Sequence, residues 1–294
     1  MKTKTLRVGT AQFSVEGQIS KNRAAILRLM QTAAEQHAEV IHFSEAALSG
    51  YAGVDIPNIE AINWDELVAA TRDIQQAARE LKLWVLLGST HRLSDNHKPH
   101  NSIYVIDSRG QIVTRYDKRF CTGSSGSKPT LDLKYYSPGN RACVFKIKGV
   151  TCGALICYDY RFPELYRDLK QHDVQVIFQS FHNARKTVVA DDGYNIWKTI
   201  VPATMCCRAA ENHFWISANN STAKPSCWPS FAVRPDGAIV GQLKQHQAGV
   251  LVTDFQIGSD IFDAPGLWRP AAMNGQLHSG CLVDDPRSHD LTCL

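Results

Sequence analysis

The chain has 294 residues, of which 44% are hydrophobic and 20% are charged, a balance typical of globular proteins with a sizeable core. The net charge is only +4 and the basic residues are dispersed, which argues against a nucleic-acid partner. No stretch reaches the roughly 18 apolar residues of a membrane span. Because the nine cysteines are irregularly spaced and no signal peptide is visible at the start, we expect a reduced, cytoplasmic protein.

The first half of the chain alternates predicted strands with predicted helices. Short apolar runs rich in β-branched residues indicate strands over residues 6–13, 38–43, 83–89, 102–106 and 111–116. Between the first three runs, apolar residues recur at helical spacing and predict two helices, with Ser20 and Asn63 as candidate N-caps. The residues between the last two runs, 107–110, form a predicted hairpin turn.

A connection rich in Gly, Ser and Pro, residues 119–140, leads into a second half with a similar order of elements. Its strands are predicted over residues 142–147, 150–156, 174–179, 214–217, 231–234, 238–242 and 249–255. Helices are predicted from residue 163 and through residues 197–211, and beyond residue 258 the periodicity fades. We therefore predict a single α/β domain of two similar halves over residues 1–257, followed by a C-terminal arm over residues 258–294.

Three reactive side chains stand at the ends of predicted strands. Cys157 lies on the turn between the strand at 150–156 and the helix that begins at Pro163, where a nucleophile is projected beside free backbone N–H groups. Glu45 and Lys118 follow two other strands, and the carboxyl ends of strands form the ligand site of open α/β sheets. Each residue also has a simpler interpretation, because Cys157 could be buried core and the two charged residues could lie in solvent.

The sequences around these residues resemble the carbon–nitrogen hydrolases of the nitrilase superfamily. The matching segments include His42-Phe-Ser-Glu45, Arg115-Tyr-Asp-Lys118 and Leu155-Ile-Cys-Tyr-Asp-Tyr-Arg-Phe-Pro-Glu164, and further matches continue in order to about residue 255. The resemblance implies a four-layer α-β-β-α sandwich. It also implies a homodimer or a higher homo-oligomer, often with the C-terminal arm packed on the partner subunit.

In the family pattern these residues form a Glu-Lys-Cys triad. Glu45 takes the proton of Cys157, which attacks the amide carbon, and Lys118 with the backbone N–H of Tyr158 stabilises the oxyanion. Glu45 then protonates the leaving amine, and water hydrolyses the thioester. The pattern needs no metal and no organic cofactor. Tyr158-Asp159 after the nucleophile favours amides over nitriles, since true nitrilases of the superfamily usually carry Trp-Glu there.

Two features near the triad need separate interpretation, namely a residue that departs from the family pattern and an unusual loop. Where the family commonly has a second glutamate, this chain has Asp132, whose carboxylate is shorter by roughly one C–C bond, ~1.5 Å. The backbone could compensate for this, or the group could position the substrate less tightly. The loop over residues 121–128 could act as a lid or be a floppy insertion.

The wall of the pocket is expected to come from loops after other strands, namely Tyr51, Phe181, His182 and Asn183. His182 could alternatively be the base of a cysteine–histidine hydrolase. That interpretation would leave both Glu45 and Lys118 without a role.

The leading interpretation is an amidase, similar to omega-amidases, that converts a small amide to acid and ammonia. The alternatives are an N-carbamoyl amide hydrolase and a catalytically idle binding or regulatory relative. Arg161 is expected to hold a substrate carboxylate with its planar guanidinium, and Arg119 and Arg185 are further candidates. Arg161 could instead pair with Asp159 or Glu164 and fix the turn.

Overall fold

Two six-stranded sheets form the framework of the residues that the computed structural model describes, 3–183 and 196–292. The first sheet consists of β1 (Lys4–Gln12), β2 (Val40–His42), β3 (Trp84–His91), β4 (His100–Ile106), β5 (Ile112–Asp117) and β12 (Gly249–Ile257). The second consists of β6 (Val144–Ile147), β7 (Val150–Ile156), β8 (Val176–Ser180), β9 (Trp215–Asn219), β10 (Phe231–Val233) and β11 (Ile239–Gln242).

Each sheet has a parallel centre and antiparallel margins. The strand order is β12-β1-β2-β3-β4-β5 in the first sheet and β11-β10-β9-β8-β7-β6 in the second. Strands β1, β2 and β3 run parallel, as do β7, β8 and β9. The predicted pair of similar halves is therefore confirmed. Because the carboxyl ends of parallel strands meet at one edge of a sheet, the loops after β2 and β7 are suited to carry site residues.

Helices cover the outer faces of both sheets, which confirms the four-layer α-β-β-α sandwich. The helices that the structure describes between residues 3 and 263 are α1 (Ile19–Glu35), α2 (Trp64–Leu81), the one-turn α3 (Asp132–Tyr135), α4 (Pro163–Gln171) and α5 (Ile196–Asn212). One apolar cluster joins α1 and α2 to the first sheet. A second cluster combines residues of both sheets with residues of α4 and α5. The core is thus built in layers, and the site residues emerge from strand ends within it.

The two predicted helix caps have different outcomes. Asn63 caps α2 as expected, because its Oδ1 accepts a hydrogen bond from the backbone N–H of Glu66 at 3.2 Å. The prediction for Ser20 is wrong, since α1 begins at Ile19 and has no side-chain cap. The reason is a tertiary anchor, in which Asn22 bonds the backbone N–H and the carbonyl of Glu16 and sets where the helix starts.

The C-terminal residues form a compact unit of their own, Ala264–Leu294, separate from Met1–Asp263. This second unit contains the short helix α6 (Arg269–Met273) and a 3₁₀ turn at Pro286–Ser288. The domain boundary at residue 257 and the packing of the arm on a partner subunit remain predictions. Across the described parts of the chain, no helix combines the length and the apolar character needed to cross a membrane.

Candidate active site

Cys157 lies on a strained turn at the end of a buried strand. It directly follows β7 and begins a 3₁₀ turn, Cys157–Arg161, after which Pro163 starts α4 as predicted. The backbone of Cys157 has φ +42°, a left-handed conformation that is uncommon for a residue with a side chain. Strain of this kind concentrates at functional sites, where the surrounding structure enforces it. The turn projects the thiol out of the sheet and into a cavity.

Glu45 is a fully buried carboxylate that follows β2. Its Oε1 accepts hydrogen bonds from Asn101 Nδ2 and from Lys118 Nζ, both at 2.8 Å. Its backbone N–H donates to the carbonyl of Phe181 at 3.2 Å, which ties it to the loop after β8. Its Oε2 is buried and has no hydrogen-bond partner among the described residues. Glu45 is thus fixed by one oxygen, and the other is available to take a proton.

Lys118 joins two carboxylates in the floor of the site. Its Nζ lies 2.8 Å from Glu45 Oε1 and 2.8 Å from Asp132 Oδ2. Burial disfavours the ammonium, but Glu45 and Asp132 outweigh it and hold the pKa of Lys118 well above its usual value. Burial alone would raise the pKa of Asp132, yet the charge of Lys118 keeps it below its usual value. Lys118 and Asp132 therefore carry their charges near neutral pH.

Asp132 reaches Lys118 in spite of its short side chain. Leu131 adopts φ +48°, and Asp132 begins the one-turn helix α3 inside the connection predicted as a loop. From there Asp132 contacts Lys118, accepts a hydrogen bond from the backbone N–H of Thr122 at 3.0 Å, and accepts another from the Tyr51 hydroxyl. The 121–128 loop is consequently held on the site near its first end, at Thr122.

A cavity of about 370 Å³ lies against these residues. It is lined by Glu45, Tyr51, Lys118, Cys157, Tyr158, Phe181, His182 and Asn183, all of which sequence reasoning placed in the site. The cavity is also lined by residues that the sequence analysis did not place there, namely Val54, Thr122, Gly123, Leu131, Tyr160, Trp197, Val201 and Trp228. These residues are far apart in the chain, and only folding brings them together. Asn101 was also missed, although its position on the strand next to the one leading to Lys118 is a usable signal.

The environment of the thiol and of His182 argues against a cysteine–histidine pair. Burial and the charge of Glu45 raise the pKa of the Cys157 thiol, and Lys118 opposes them only in part. The Cys157 thiol is therefore neutral near pH 7. His182 has its Nδ1 2.7 Å from Ser221 Oγ and its Nε2 2.9 Å from Asp55 Oδ2. With both nitrogens facing other groups, His182 is placed to shape the wall.

The three candidate arginines are placed differently from one another. Arg119 is paired with Asp168 at 3.2 Å, so the expectation that it holds a substrate carboxylate is not supported. Arg161 has no ion pair with a carboxylate among the described residues, so its predicted pairing with Asp159 or Glu164 is not observed there. Its guanidinium lies 5.1 Å from the ring centroid of Tyr160 and 4.8 Å from that of Trp197, two residues of the cavity wall. Arg185 lies outside the described residues.

Comparison with known proteins assigns the chain to a family. The sequence profile described as carbon-nitrogen hydrolase matches residues 7–259. The chain belongs to the carbon–nitrogen hydrolase family. Its fold is similar to that of an amidase of the nitrilase superfamily from Nesterenkonia AN1, with a TM-score of 0.72, 20% identity and coverage of 86% of this chain and 91% of that chain.

Several amidases are similar in sequence to this chain over part or most of its length. A 2-oxoglutaramate amidase from Bacillus subtilis (strain 168) is 27% identical over 187 residues, which are 64% of this chain and 65% of the relative. A deaminated glutathione amidase from Dictyostelium discoideum is 29% identical over 61% of this chain and 62% of the relative. The chain thus spans slightly less than two thirds of these two relatives. An N-carbamoylputrescine amidase from Solanum lycopersicum is 24% identical over 87% of this chain and 88% of the relative.

Proposed function

We propose that this protein is an amidase that hydrolyses a small, carboxylate-bearing amide to acid and ammonia through a thioester on Cys157. The observation that carries this proposal is the geometry of Glu45, which is anchored through Oε1 while Oε2 is buried without a partner among the described residues. A base held in this way beside a neutral thiol and a cation can serve both half-reactions. The names of the relatives support the same class of reaction.

The first half-reaction forms the thioester. Cys157 Sγ attacks the amide carbon while Glu45 Oε2 takes the thiol proton, and the carbonyl electrons move onto oxygen. The ammonium of Lys118 and the backbone N–H of Tyr158 stabilise the negative oxygen. When the carbonyl re-forms, the C–N bond breaks and Glu45 returns the proton to the nitrogen, so that ammonia leaves. Because Lys118 already carries its charge in the resting site, no reorganisation is needed as the oxyanion develops.

The second half-reaction releases the acid. Water enters the place of ammonia and gives one proton to Glu45 Oε2 as its oxygen attacks the thioester carbon. Lys118 and Tyr158 again stabilise the negative oxygen. The C–S bond then breaks, and the proton on Glu45 passes to the sulfur of Cys157. The free acid leaves and the site returns to its starting charges.

The cavity wall supports a substrate whose far end accepts hydrogen bonds. The buried Trp228 Nε1–H has no hydrogen-bond partner among the described residues, and Trp228 lines the cavity together with Tyr160. Arg161 lies against Tyr160 and Trp197 without a carboxylate of its own in the described part of the chain. Donors that lack acceptors favour a ligand that brings a carboxylate.

The test is ammonia release from an ω-monoamide of a dicarboxylic acid and from the same amide with its far carboxylate methylated. A charge-assisted contact of ~1.5–3 kcal/mol predicts a preference for the acid amide of roughly ten- to a hundredfold in kcat/KM. Arg161→Ala should shrink this preference, whereas Arg92→Ala, which removes a guanidinium stacked on Trp64 away from the cavity, should not. Equal rates for acid and ester would remove the carboxylate from the substrate description.

The second candidate is hydrolysis of an N-carbamoyl amide. It is favoured by the N-carbamoylputrescine amidase relative, which matches this chain over most of both lengths. Release of carbon dioxide together with ammonia would identify this reaction, and ammonia alone would exclude it. If the protein releases neither ammonia nor carbon dioxide from the acid amide, its methyl ester or an N-carbamoyl amide, it is the catalytically idle relative.

A further inference from the structure

Asp159 is a buried carboxylate inside the turn that carries the nucleophile. It accepts three hydrogen bonds at 2.8 to 3.0 Å, from the backbone N–H of Ile156, the backbone N–H of Phe120 and the hydroxyl of Tyr116. Ile156 immediately precedes Cys157. Tyr116 and Phe120 stand two residues before and two residues after Lys118. One carboxylate therefore ties the nucleophile turn to both sides of the lysine segment.

The two ends of this connection belong to different sheets. The Lys118 segment continues β5 of the first sheet, where the Lys118 backbone N–H bonds the carbonyl of Asn101 at 2.9 Å. Cys157 follows β7 of the second sheet. Burial raises the pKa of Asp159 to about 6, so at pH 7 it is ionised, and bonds to an ionised acceptor are stronger than neutral ones.

Glu45 reaches the second sheet by its own route. Its backbone N–H donates to the carbonyl of Phe181, and its side chain is held by Asn101 as well as by Lys118, so two anchors remain if Lys118 moves. None of these contacts involves Asp159. Loss of Asp159 should therefore move Lys118 relative to Cys157 while Glu45 keeps its place.

We infer that Asp159 is a positioning residue that sets the distance of the Lys118 ammonium from the Cys157 sulfur and so shapes the oxyanion site. This deepens the proposed function, because it rests on Lys118 stabilising the oxyanion. A misplacement of about 1 Å is enough to lower a rate on the order of a hundredfold. A change in the reactivity of the thiol should affect every alkylating reagent alike, whereas a misplaced Lys118 should in addition slow a reagent whose carbonyl oxygen it contacts.

Two alkylating reagents separate these effects without any need for turnover. Iodoacetamide has a carbonyl oxygen that can lie on Lys118, whereas iodomethane has none. The alkylation rate at Cys157 is followed by mass analysis of the peptide that contains it. The readout is the rate with iodoacetamide divided by the rate with iodomethane. Asp159→Asn should lower that ratio about tenfold. With an amide that the wild type cleaves, kcat should fall on the order of tenfold to a hundredfold while KM changes less than about threefold.

Two further variants complete the test. Tyr116→Phe removes one of the three bonds and should lower the ratio about threefold. Asp168→Asn removes the partner of Arg119, a contact of the same segment with α4, and should leave the ratio unchanged. An unchanged ratio in folded Asp159→Asn overturns the inference whatever the melting temperature does. If that variant does not fold, an unchanged ratio in Tyr116→Phe overturns it. A wild type that cleaves no amide contradicts the proposed function alone, because the alkylation ratio still decides the role of Asp159.

Discussion

Two clusters of buried polar side chains include residues of the same short segment, His42 and Glu45, and they are built in opposite ways. The inter-sheet cluster, made of Thr10, His42, Ser180 and Ser217, is neutral and joins the two sheets. The His42 ring has Nδ1 2.9 Å from Ser217 Oγ and Nε2 2.8 Å from Ser180 Oγ. Thr10 Oγ1 lies 2.7 Å from the same Ser217 hydroxyl. Burial lowers the pKa of His42 to about 3, so the ring stays uncharged.

The pocket cluster, made of Glu45, Lys118 and Asp132, is charged and borders the cavity. Lys118 lies close to both carboxylates, and such close pairing is what offsets the cost of desolvating buried charges. Unlike the inter-sheet cluster, it leaves Glu45 Oε2 without a partner among the described residues. A polar network with every atom paired serves structure, whereas a charged network with one unpaired oxygen beside a cavity is prepared for chemistry.

The largest expected effect separates two cysteines of the same segment. Cys157→Ala should reduce amide hydrolysis to the uncatalysed background without loss of the fold, because it removes only the nucleophilic sulfur. Cys152→Ala, at a fully buried position of β7, should keep the activity and lower the free energy of unfolding by about 1–2 kcal/mol. Ammonia release and urea unfolding measure the two outcomes. Substantial turnover by Cys157→Ala would mean that another group forms the covalent bond.

The next effect tests the charge of the pocket cluster. Lys118→Ala should lower kcat by on the order of 10²- to 10³-fold, the scale for loss of one oxyanion donor. It should also change the pH dependence of stability. With Lys118 present, the low pKa of Asp132 stabilises the fold above its unfolded pKa, and this is lost as pH falls. Without Lys118, burial raises that pKa, so urea unfolding should show stability rising as pH falls toward 4. A kcat within tenfold of wild type would remove Lys118 from the oxyanion site.

A smaller effect concerns the length of the Asp132 side chain. Because Asp132 already contacts Lys118 at 2.8 Å, Asp132→Glu adds a methylene to a filled site and should lower kcat roughly tenfold. Asp132→Asn keeps the shape and removes the charge, and serves as the matched variant. Steady-state kinetics of both variants give the comparison. Full activity in Asp132→Glu would show that the backbone at Leu131 does not compensate for the shorter carboxylate.

The smallest catalytic effect is expected in the inter-sheet cluster. His42→Asn should lower the free energy of unfolding at pH 7 by about 1–3 kcal/mol, since two buried hydrogen bonds are disturbed. His42 is neutral in the folded state and takes up a proton only on unfolding below about pH 6.5, so its stabilisation is lost as pH falls toward 3. The stability gap between wild type and variant should therefore shrink by up to about 1.4 kcal/mol per pH unit from pH 6 to pH 4. A constant gap would mean that His42 is charged in the fold.

Local sequence signals were enough for the order of the elements and for the strand ends that carry Glu45, Lys118 and Cys157. The order of strands and helices, the Asn63 cap and the turn at Asp107–Gly110, where the Gly110 backbone N–H bonds the carbonyl of Asp107 at 2.8 Å, follow from residues near in sequence. The turn at Cys157 follows in the same way, because the apolar run of β7 and Pro163 bound it on both sides.

The features that sequence could not provide depend on contacts between distant residues. Asp132 contacts Lys118 across 14 positions, directly after Leu131 in a left-handed conformation that its side chain does not favour. Arg119 is taken by Asp168 on α4, a pairing across 49 positions that no local pattern reveals. Nothing in the sequence near Tyr160 or Trp228 indicates that they belong to the cavity wall. They come together there because both pack on Phe181, whose ring centroid lies 5.8 Å from that of Tyr160 and 5.4 Å from that of Trp228.

The most direct test of the account is the reaction of Glu45→Gln with an activated ester and with an amide of the same acid. A nitrophenolate leaving group needs no proton, but Cys157 must lose its own proton without the help of Glu45. The variant should therefore release about one nitrophenolate per protein, more slowly than the wild type, and then stall with the acyl group on Cys157, since no base activates water. The intact mass should rise by that acyl group, Cys157→Ala should show no burst, and the amide should not be cleaved. Amide turnover by Glu45→Gln at the wild-type rate, or a burst that persists in Cys157→Ala, would contradict the assignment of Glu45 and Cys157.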